Sequence, residues 1–277
     1  LPISGYCRGF EMIRNKGFIV IMDGSGIDEG LAGYSRFLPA YWADLKSDNN
    51  FEKLDSEFQD FGITKNSKHK YLNLIEEVIS NQQVGRGQDL TRSVNASSLN
   101  NSFVEKNKDI KNNFDQPFDN YLKNIMYKDL RYIKLPRALR FRDKLSMSVG
   151  CELRPPFLDH RLLAYEFALP NEDLIKGSKQ KRILRDSVGD LLPSNIKFTP
   201  KRQVQTPQRE WFRNELKGWI TSTLNDGNFW KRGWVNEKKG KEKLNEYFTG
   251  QLNNSFFIWQ WINLELWANH YIDNNNI

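Results

Sequence analysis

Cysteine is nearly absent. The 277 residues hold only Cys7 and Cys151, too few for a disulfide framework or a cysteine-rich zinc site. Histidine is as scarce: His69, His160 and His270 lie far apart, without the close spacing of a His/Cys metal cluster. No stretch approaches the roughly 18 consecutive apolar residues of a membrane helix. No charged segment followed by an apolar one opens the chain as a secretory signal would. No internal repeat is visible. These absences predict a reduced, cytoplasmic protein with no membrane partner. The first residue is Leu1, and the chain reads as though cut from something longer.

Apolar and aromatic residues are plentiful, at 39% and 13%. That supplies a real core and excludes wholesale disorder. Lysine and arginine exceed the acids by 41 − 34 = +7, which suits a small anionic ligand without requiring one. No zinc-finger, RNA-recognition or helix-turn-helix pattern accompanies the charge, so no nucleic acid is expected.

Along the chain, residues 10–15 read as the end of a helix stopped by Gly17. Phe18-Ile19-Val20-Ile21-Met22 is a short apolar, β-branched run, predicted to be a central buried strand of a parallel sheet. It is the one convincing strand. The remaining periodicity is helical, over 68–82, 118–133, 136–149, 161–169, 179–192, 208–224, 237–248 and 254–268. Residues 85–113 are rich in Asn, Ser, Lys and Gly and read equally as a mobile loop, a lid or an insertion. The tail 273–276 is expected to fray. One parallel strand among about ten helices lacks the neighbours its backbone needs. Either other strands are hidden, or the rest of the sheet precedes Leu1.

Three segments carry chemistry. In the first, the strand leads into Asp23-Gly24-Ser25-Gly26-Ile27-Asp28-Glu29 and then Gly33-Tyr34. A strand, a glycine-rich turn and a helix start together aim backbone N–H groups at an anion. Gly24 and Gly26 permit positive φ and close ligand approach, and Asp28 and Glu29 offer oxygens to a magnesium ion. The same residues also fit a plain tight turn with acids favouring a helix N-terminus. The second segment runs from Arg142-Asp143-Lys144-Leu145-Ser146-Met147 to Glu152-Leu153-Arg154-Pro155-Pro156-Phe157-Leu158-Asp159. Its charges are expected to pair with one another, Asp143, Glu152, Arg154 and Asp159 locking a helix connection. The third is Lys179-Gln180-Lys181-Arg182-Ile183-Leu184-Arg185. Helical spacing puts Lys181 on one face with Leu184 and Val188, where a lysine either snorkels to water or aims at a buried anion.

Taken in order, the three segments resemble the synthetase domain of the glutamine-hydrolysing asparagine synthase family. The first is similar to the signature Ser-Gly-Glu-Gly-x-Asp-Glu-x-x-Gly-Gly-Tyr. The second is similar to the block Asp-Arg-x-Ser-Met with Arg-x-Pro-Phe-Leu-Asp, and the third to Lys-x-x-Leu-Arg. The resemblance covers roughly residues 1–215. It implies a mainly α chain with a small parallel β remnant, the C-terminal part of an adenine-nucleotide α-hydrolase-like, ATP pyrophosphatase-type α/β domain. On it, 1–277 is a partial synthetase domain. The implied activity is ATP- and Mg²⁺-dependent amide formation: a carboxylate, aspartate first, is adenylated and ammonia then displaces AMP. The resemblance also implies an N-terminal glutaminase domain as partner. By position it places Asp23, Gly24, Ser25 and Gly26 at the nucleotide, makes Asp28 a magnesium ligand, and has Lys181 stabilise the departing pyrophosphate.

Four departures from the pattern bear on the chemistry. The family's Ser-Gly-Gly-x-Asp-Ser loop does not occur in it, so half an active site is expected, with the loop upstream. The glutaminase domain is absent too. Ser25 replaces the signature's glutamate, and Lys144 replaces the arginine of Asp-Arg, losing its fork geometry. Two rival readings remain: an amidotransferase with another acceptor, such as a sugar or a lactam-forming substrate, and a non-catalytic helical interaction module. The site reading expects residues 23–28, 142–159 and Lys181 to line one cleft.

Overall fold

The computed structural model describes residues 3–80, 98–109, 114–177, 179–197 and 207–273. Helix α1, Ile3–Asn15, stops where Gly17 turns left-handed, with φ 87°, as the sequence predicts. Strand β1 is shorter than the apolar run, Val20–Met22. The glycine turn follows, then α2, Ile27–Gly30. Three helices come next: α3, Leu38–Ser47, α4, Phe51–Asp60, and α5, Lys65–Ile79. Helix α6, Asn101–Lys106, lies in the polar stretch 85–113; of that stretch, 85–97 and 110–113 lie outside the described residues.

Helix α7, Tyr121–Lys128, continues as a π-turn through Asp129–Ile133 into α8, Leu135–Met147. Strand β2, Glu152–Arg154, precedes α9, His160–Ala168. After α10, Asn171–Leu174, a small antiparallel hairpin forms from β3, Ile175–Lys176, and β4, Lys179–Gln180. Then come α11, Arg182–Ser187, and α12, Ser194–Lys197. The expected helix over 208–224 is two, α13, Gln208–Arg213, and α14, Lys217–Asn225, separated where Asn214 leaves helical geometry. The last two are α15, Glu237–Phe248, and α16, Phe256–Ala268. Among the described residues no helix is long and apolar enough to cross a membrane.

The chain divides into two compact units: residues 1–84 with 114–204, and 85–113 with 205–277. In the first, the core is built around α3, whose residues Leu38 to Leu45 are all buried. The Trp42 ring meets Phe58, Phe61 and Tyr71 edge-on, at 5.1, 5.5 and 5.7 Å, the arrangement that aromatic quadrupoles favour. Asp44, from the same helix, accepts hydrogen bonds from the Tyr121 and Leu122 amides at 2.6 and 3.1 Å. It thereby satisfies free N–H groups at the start of α7.

The predicted parallel strand exists, with one partner and little burial. β1 pairs with β2 in the register Val20–Glu152, Ile21–Leu153, Met22–Arg154. Val20 is 43% and Met22 68% exposed. The expectation of a central buried strand is therefore corrected: β2 covers one edge, and the side chains of Val20 and Met22 remain open to solvent.

The second unit packs Phe212, Ile220, Phe229, Tyr247, Phe257 and Ile262 into its own core. Glu265, buried there, accepts from Arg232 at 2.7 Å and from the Asn228 amide at 2.9 Å. Arg232 also donates to Asp273 at 3.1 Å, so Asp273 is tied down rather than frayed; 274–276 lie outside the described residues.

Candidate active site

Where β1 ends, the Asp23 amide still donates to Arg154 O at 3.0 Å, extending the parallel ladder by one bond. The chain then turns through Gly24 and Ser25 to Gly26. Of the two glycines expected to use positive φ, Gly26 does so, at 97°. A side chain there would also collide with Leu158, so the close approach at Gly26 is made by the protein itself. At Gly24 the space a side chain would occupy is empty, which leaves that stretch of backbone open.

Asp28 occupies the first turn of α2. Its backbone carbonyl accepts from the Gly33 amide at 2.7 Å, and its carboxylate fills the space a side chain at Gly33 would need. Lys181 Nζ donates to Asp28 Oδ1 at 2.9 Å, and both side chains are largely buried. Glu29, which the sequence offers as a second magnesium ligand, turns inward instead. It is buried and accepts from Tyr34 Oη at 2.7 Å.

Lys181 reaches Asp28 by a route that helical spacing did not foresee. Lys179 and Gln180 belong to the β3–β4 hairpin, and Lys181 is the residue just before α11, in left-handed geometry with φ 55°. It is therefore not on a helical face with Leu184 and Val188. For a residue with a Cβ, that conformation costs on the order of 1–2 kcal/mol, borne by the surrounding packing.

Arg142, on α8, meets the other end of the turn. Its Nη1 donates to Asp23 Oδ1 at 2.9 Å and contacts Ser25 Oγ, while Nη2 donates to Tyr6 Oη at 2.9 Å. The Ser25 amide donates to the same Asp23 oxygen at 2.7 Å. The expected mutual locking of Asp143, Glu152, Arg154 and Asp159 forms only in part. Arg154 donates to Glu152 at 2.8 Å on an exposed edge. Asp159 instead caps α9, accepting from the Arg161 amide at 2.9 Å and from the Arg161 guanidinium at 2.8 and 3.0 Å. These bonds hold the Asp159 carboxyl below the usual carboxylate range.

The turn 23–28 thus meets the region 142–159 through Arg142 at Asp23 and Leu158 at Gly26, and meets Lys181 at Asp28. The sequence model of the asparagine synthase family matches residues 6–269. The chain belongs to the asparagine synthase family. Asparagine synthetase [glutamine-hydrolyzing] 3 of Bacillus subtilis is 23% identical to it over 215 residues, 78% of this chain and 30% of that protein. Asparagine synthetase 1 of the same organism is 25% identical over 131 residues, 44% of this chain and 20% of that protein. The human asparagine synthetase is 36% identical over 91 residues, 30% of this chain and 16% of that protein. The matched part of the chain thus spans less than a third of the length of each of these curated relatives. No solved structure matches it.

The magnesium ion that asparagine synthases imply can be tested against the residues present. Among the described residues, no three His, Cys, Asp or Glu side chains gather as a metal-binding group. Asp28 offers a single carboxylate, one oxygen of which accepts from Lys181. That suits an ion which takes one or two protein carboxylates and completes its shell with water and phosphate oxygens, so the site fits magnesium carried with a nucleotide. A cavity of about 340 Å³ adjoins Asp23, lined also by Leu139, Arg140, Asp143, Leu153 and Pro155. A larger one, about 460 Å³, lies between α3, the start of α7 and the segment 167–172, and contains none of the sequence-predicted site residues.

Two further groups behind the turn escaped the sequence reading. Lys134 Nζ stands 3.8 Å from the centre of the Tyr34 ring. Burial and the neighbouring Arg36 push its pKa down to about 7. Arg36 itself is paired with buried Asp129. Glu166, 1% exposed on α9, packs against Gly30, and burial raises its pKa to about 7. Neither carries a signal in the sequence: Lys134 falls between the helical windows 118–133 and 136–149, and Glu166 sits in an ordinary amphipathic pattern over 161–169.

Proposed function

We propose that this chain supplies the synthetase half-site of an ATP-dependent, amide-forming ligase of asparagine synthase type. It would work in the cytoplasm with an N-terminal glutaminase domain as its ammonia source. The observation that carries the reading is the Lys181–Asp28 pair at the start of the helix that follows the glycine-rich turn. In this reading the turn 23–26 receives the nucleotide through backbone groups within an adenine-nucleotide hydrolase-like fold. Asp28 would hold magnesium, which would supply positive charge against the phosphates. An oxygen of the acceptor carboxylate attacks the α-phosphorus and pyrophosphate departs. Lys181 then exchanges its bond to Asp28 for one to the pyrophosphate oxygens, supplying positive charge where negative charge develops. Ammonia attacks the acyl carbon and AMP leaves.

Aspartate is the first acceptor to test. The second reading is an amidotransferase with another acceptor: position 25, where Ser25 contacts Arg142, carries a hydroxyl in place of the signature's carboxylate, so the site differs from the asparagine synthase pattern. The test is carboxylate-dependent ATP–pyrophosphate exchange, measured on the protein that joins this chain to the family's Ser-Gly-Gly-x-Asp-Ser loop. Exchange that requires aspartate supports the first reading, and exchange only with other carboxylates supports the second. No exchange with any carboxylate refutes the ligase. The 277-residue chain by itself is expected to show none.

A further inference from the structure

We propose that Arg142 is the positioning residue of the glycine-rich turn, a role that rests on the nucleotide reading above and adds a residue to it. Its guanidinium joins three pieces of backbone distant in sequence: α1 through Tyr6, the turn through Asp23 and Ser25, and its own helix α8. The planar fork of arginine suits this task, since separate N–H groups reach separate acceptors at once.

The turn is anchored at its ends, by the Asp23 amide on Arg154 O at 3.0 Å and by Gly26 packed against Leu158. Between these anchors Gly24 has an empty neighbourhood. The Ser25 amide is fixed by Asp23 Oδ1 at 2.7 Å, and that same oxygen receives Arg142 Nη1 at 2.9 Å. Arg142 therefore fixes the Ser25 peptide through Asp23, and with the Ser25 amide turned in to that carboxylate, the neighbouring amides of Gly24 and Gly26 are the ones that would face a phosphate. The Asp23 side chain, bonded from both sides, serves as the hinge of this clasp rather than as a ligand. Tyr6 completes it from the far side: its hydroxyl accepts from Nη2, and its ring lies 5.1 Å from the guanidinium carbon. The burial of Ser25 and the partial burial of Arg142 shield these bonds from water, which strengthens them.

The test is amide hydrogen exchange on the full chain, with and without MgATP, for the wild type and for Arg142→Gln, Arg142→Lys and Tyr6→Phe. In Arg142→Gln, exchange over residues 23–28 is expected to rise by at least about tenfold while α3 and α5 keep their protection. The MgATP dissociation constant is expected to rise by about tenfold as well. Arg142→Lys recovers part of the protection, because one ammonium reaches Asp23 or Tyr6 but cannot span the fork, and Tyr6→Phe gives a smaller loss of the same kind. Unchanged exchange over 23–28 in Arg142→Gln, or loosening spread equally over the unit, overturns the positioning role. So does a loosened turn that binds MgATP as tightly as before. A wild-type turn that gains no protection from MgATP counts against the nucleotide reading itself, and the ligand-free exchange comparison still decides the role of Arg142.

Discussion

Lys181 Nζ and Asp28 Oδ1 are 2.9 Å apart although 153 residues separate them in sequence. The pair joins the turn after β1 to the residue just before α11, so the two segments with the clearest chemistry are held against each other. Removing one partner takes an ion-pair contact from a largely buried charge, which is costly.

Asp28→Asn is expected to weaken magnesium-dependent nucleotide binding, because it replaces a hard anionic oxygen with a neutral amide. Titrating the nucleotide at several magnesium concentrations measures this. The variant should lose most of the magnesium dependence that the wild type shows.

Lys134 is expected to react as a free amine at neutral pH. Burial beside Arg36 pushes its pKa down to about 7, so at pH 8 most of it is unprotonated, whereas ordinary lysines titrate near 10.4. Competitive acylation followed by peptide mass spectrometry should give Lys134 a half-maximal rate near pH 7. The same shift makes the folded chain release a proton that the unfolded chain keeps between about pH 7 and 10, so this group's contribution to stability rises with pH across that window.

Glu166 acts in the opposite sense. Its pKa, raised to about 7 by burial, lies above the ordinary value of about 4.3. Between those values the folded chain keeps a proton that the unfolded chain gives up, so stability falls as pH rises through the window. Asp44, raised to about 6 by burial, contributes with the same sign over a narrower range. For Glu166 the full effect is on the order of 3 kcal/mol. Denaturant melts of the wild type and Glu166→Gln at pH 5 and pH 8 should show the difference between the two proteins shifting toward the variant at the higher pH.

How much of this was legible beforehand depended on whether the signal was local. Gly17 as a stop, the helix over 237–248 and the turn at Asp23–Gly26 announce themselves in a few consecutive residues. Helix α3 does not. Leu38 to Leu45 are buried on every side, so no polar stripe marks a period. β2 was missed because Glu-Leu-Arg is charged and three residues long, and only its pairing with β1 makes it a strand. The burial of β1 was overestimated for the converse reason: an apolar run says what a strand would bury, not whether neighbours are there to cover it. Lys181 was placed near the right partner but in the wrong local geometry, because the hairpin before it has only two residues per strand, too few to show a period. Arg142 could be seen in the sequence as a charge beside the family block, yet its three partners come from elements far away in the chain.

Trp42→Ala tests the core of the first unit. The substitution removes a fully buried ring with three edge-on aromatic neighbours and should cost about 3–5 kcal/mol. Denaturant melts would register it as a lower midpoint.

If Lys181 supplies charge to a departing pyrophosphate, the rate of magnesium-dependent ATP–pyrophosphate exchange depends on it. The measurement compares wild type with Lys181→Ala in the protein that joins this chain to the Ser-Gly-Gly-x-Asp-Ser loop. Turnover is expected to fall by about 10² to 10³, or roughly 3–4 kcal/mol, with a much smaller change in the KM for ATP, because the lost interaction belongs to the transition state. Exchange that proceeds at the wild-type rate without the lysine would contradict that role.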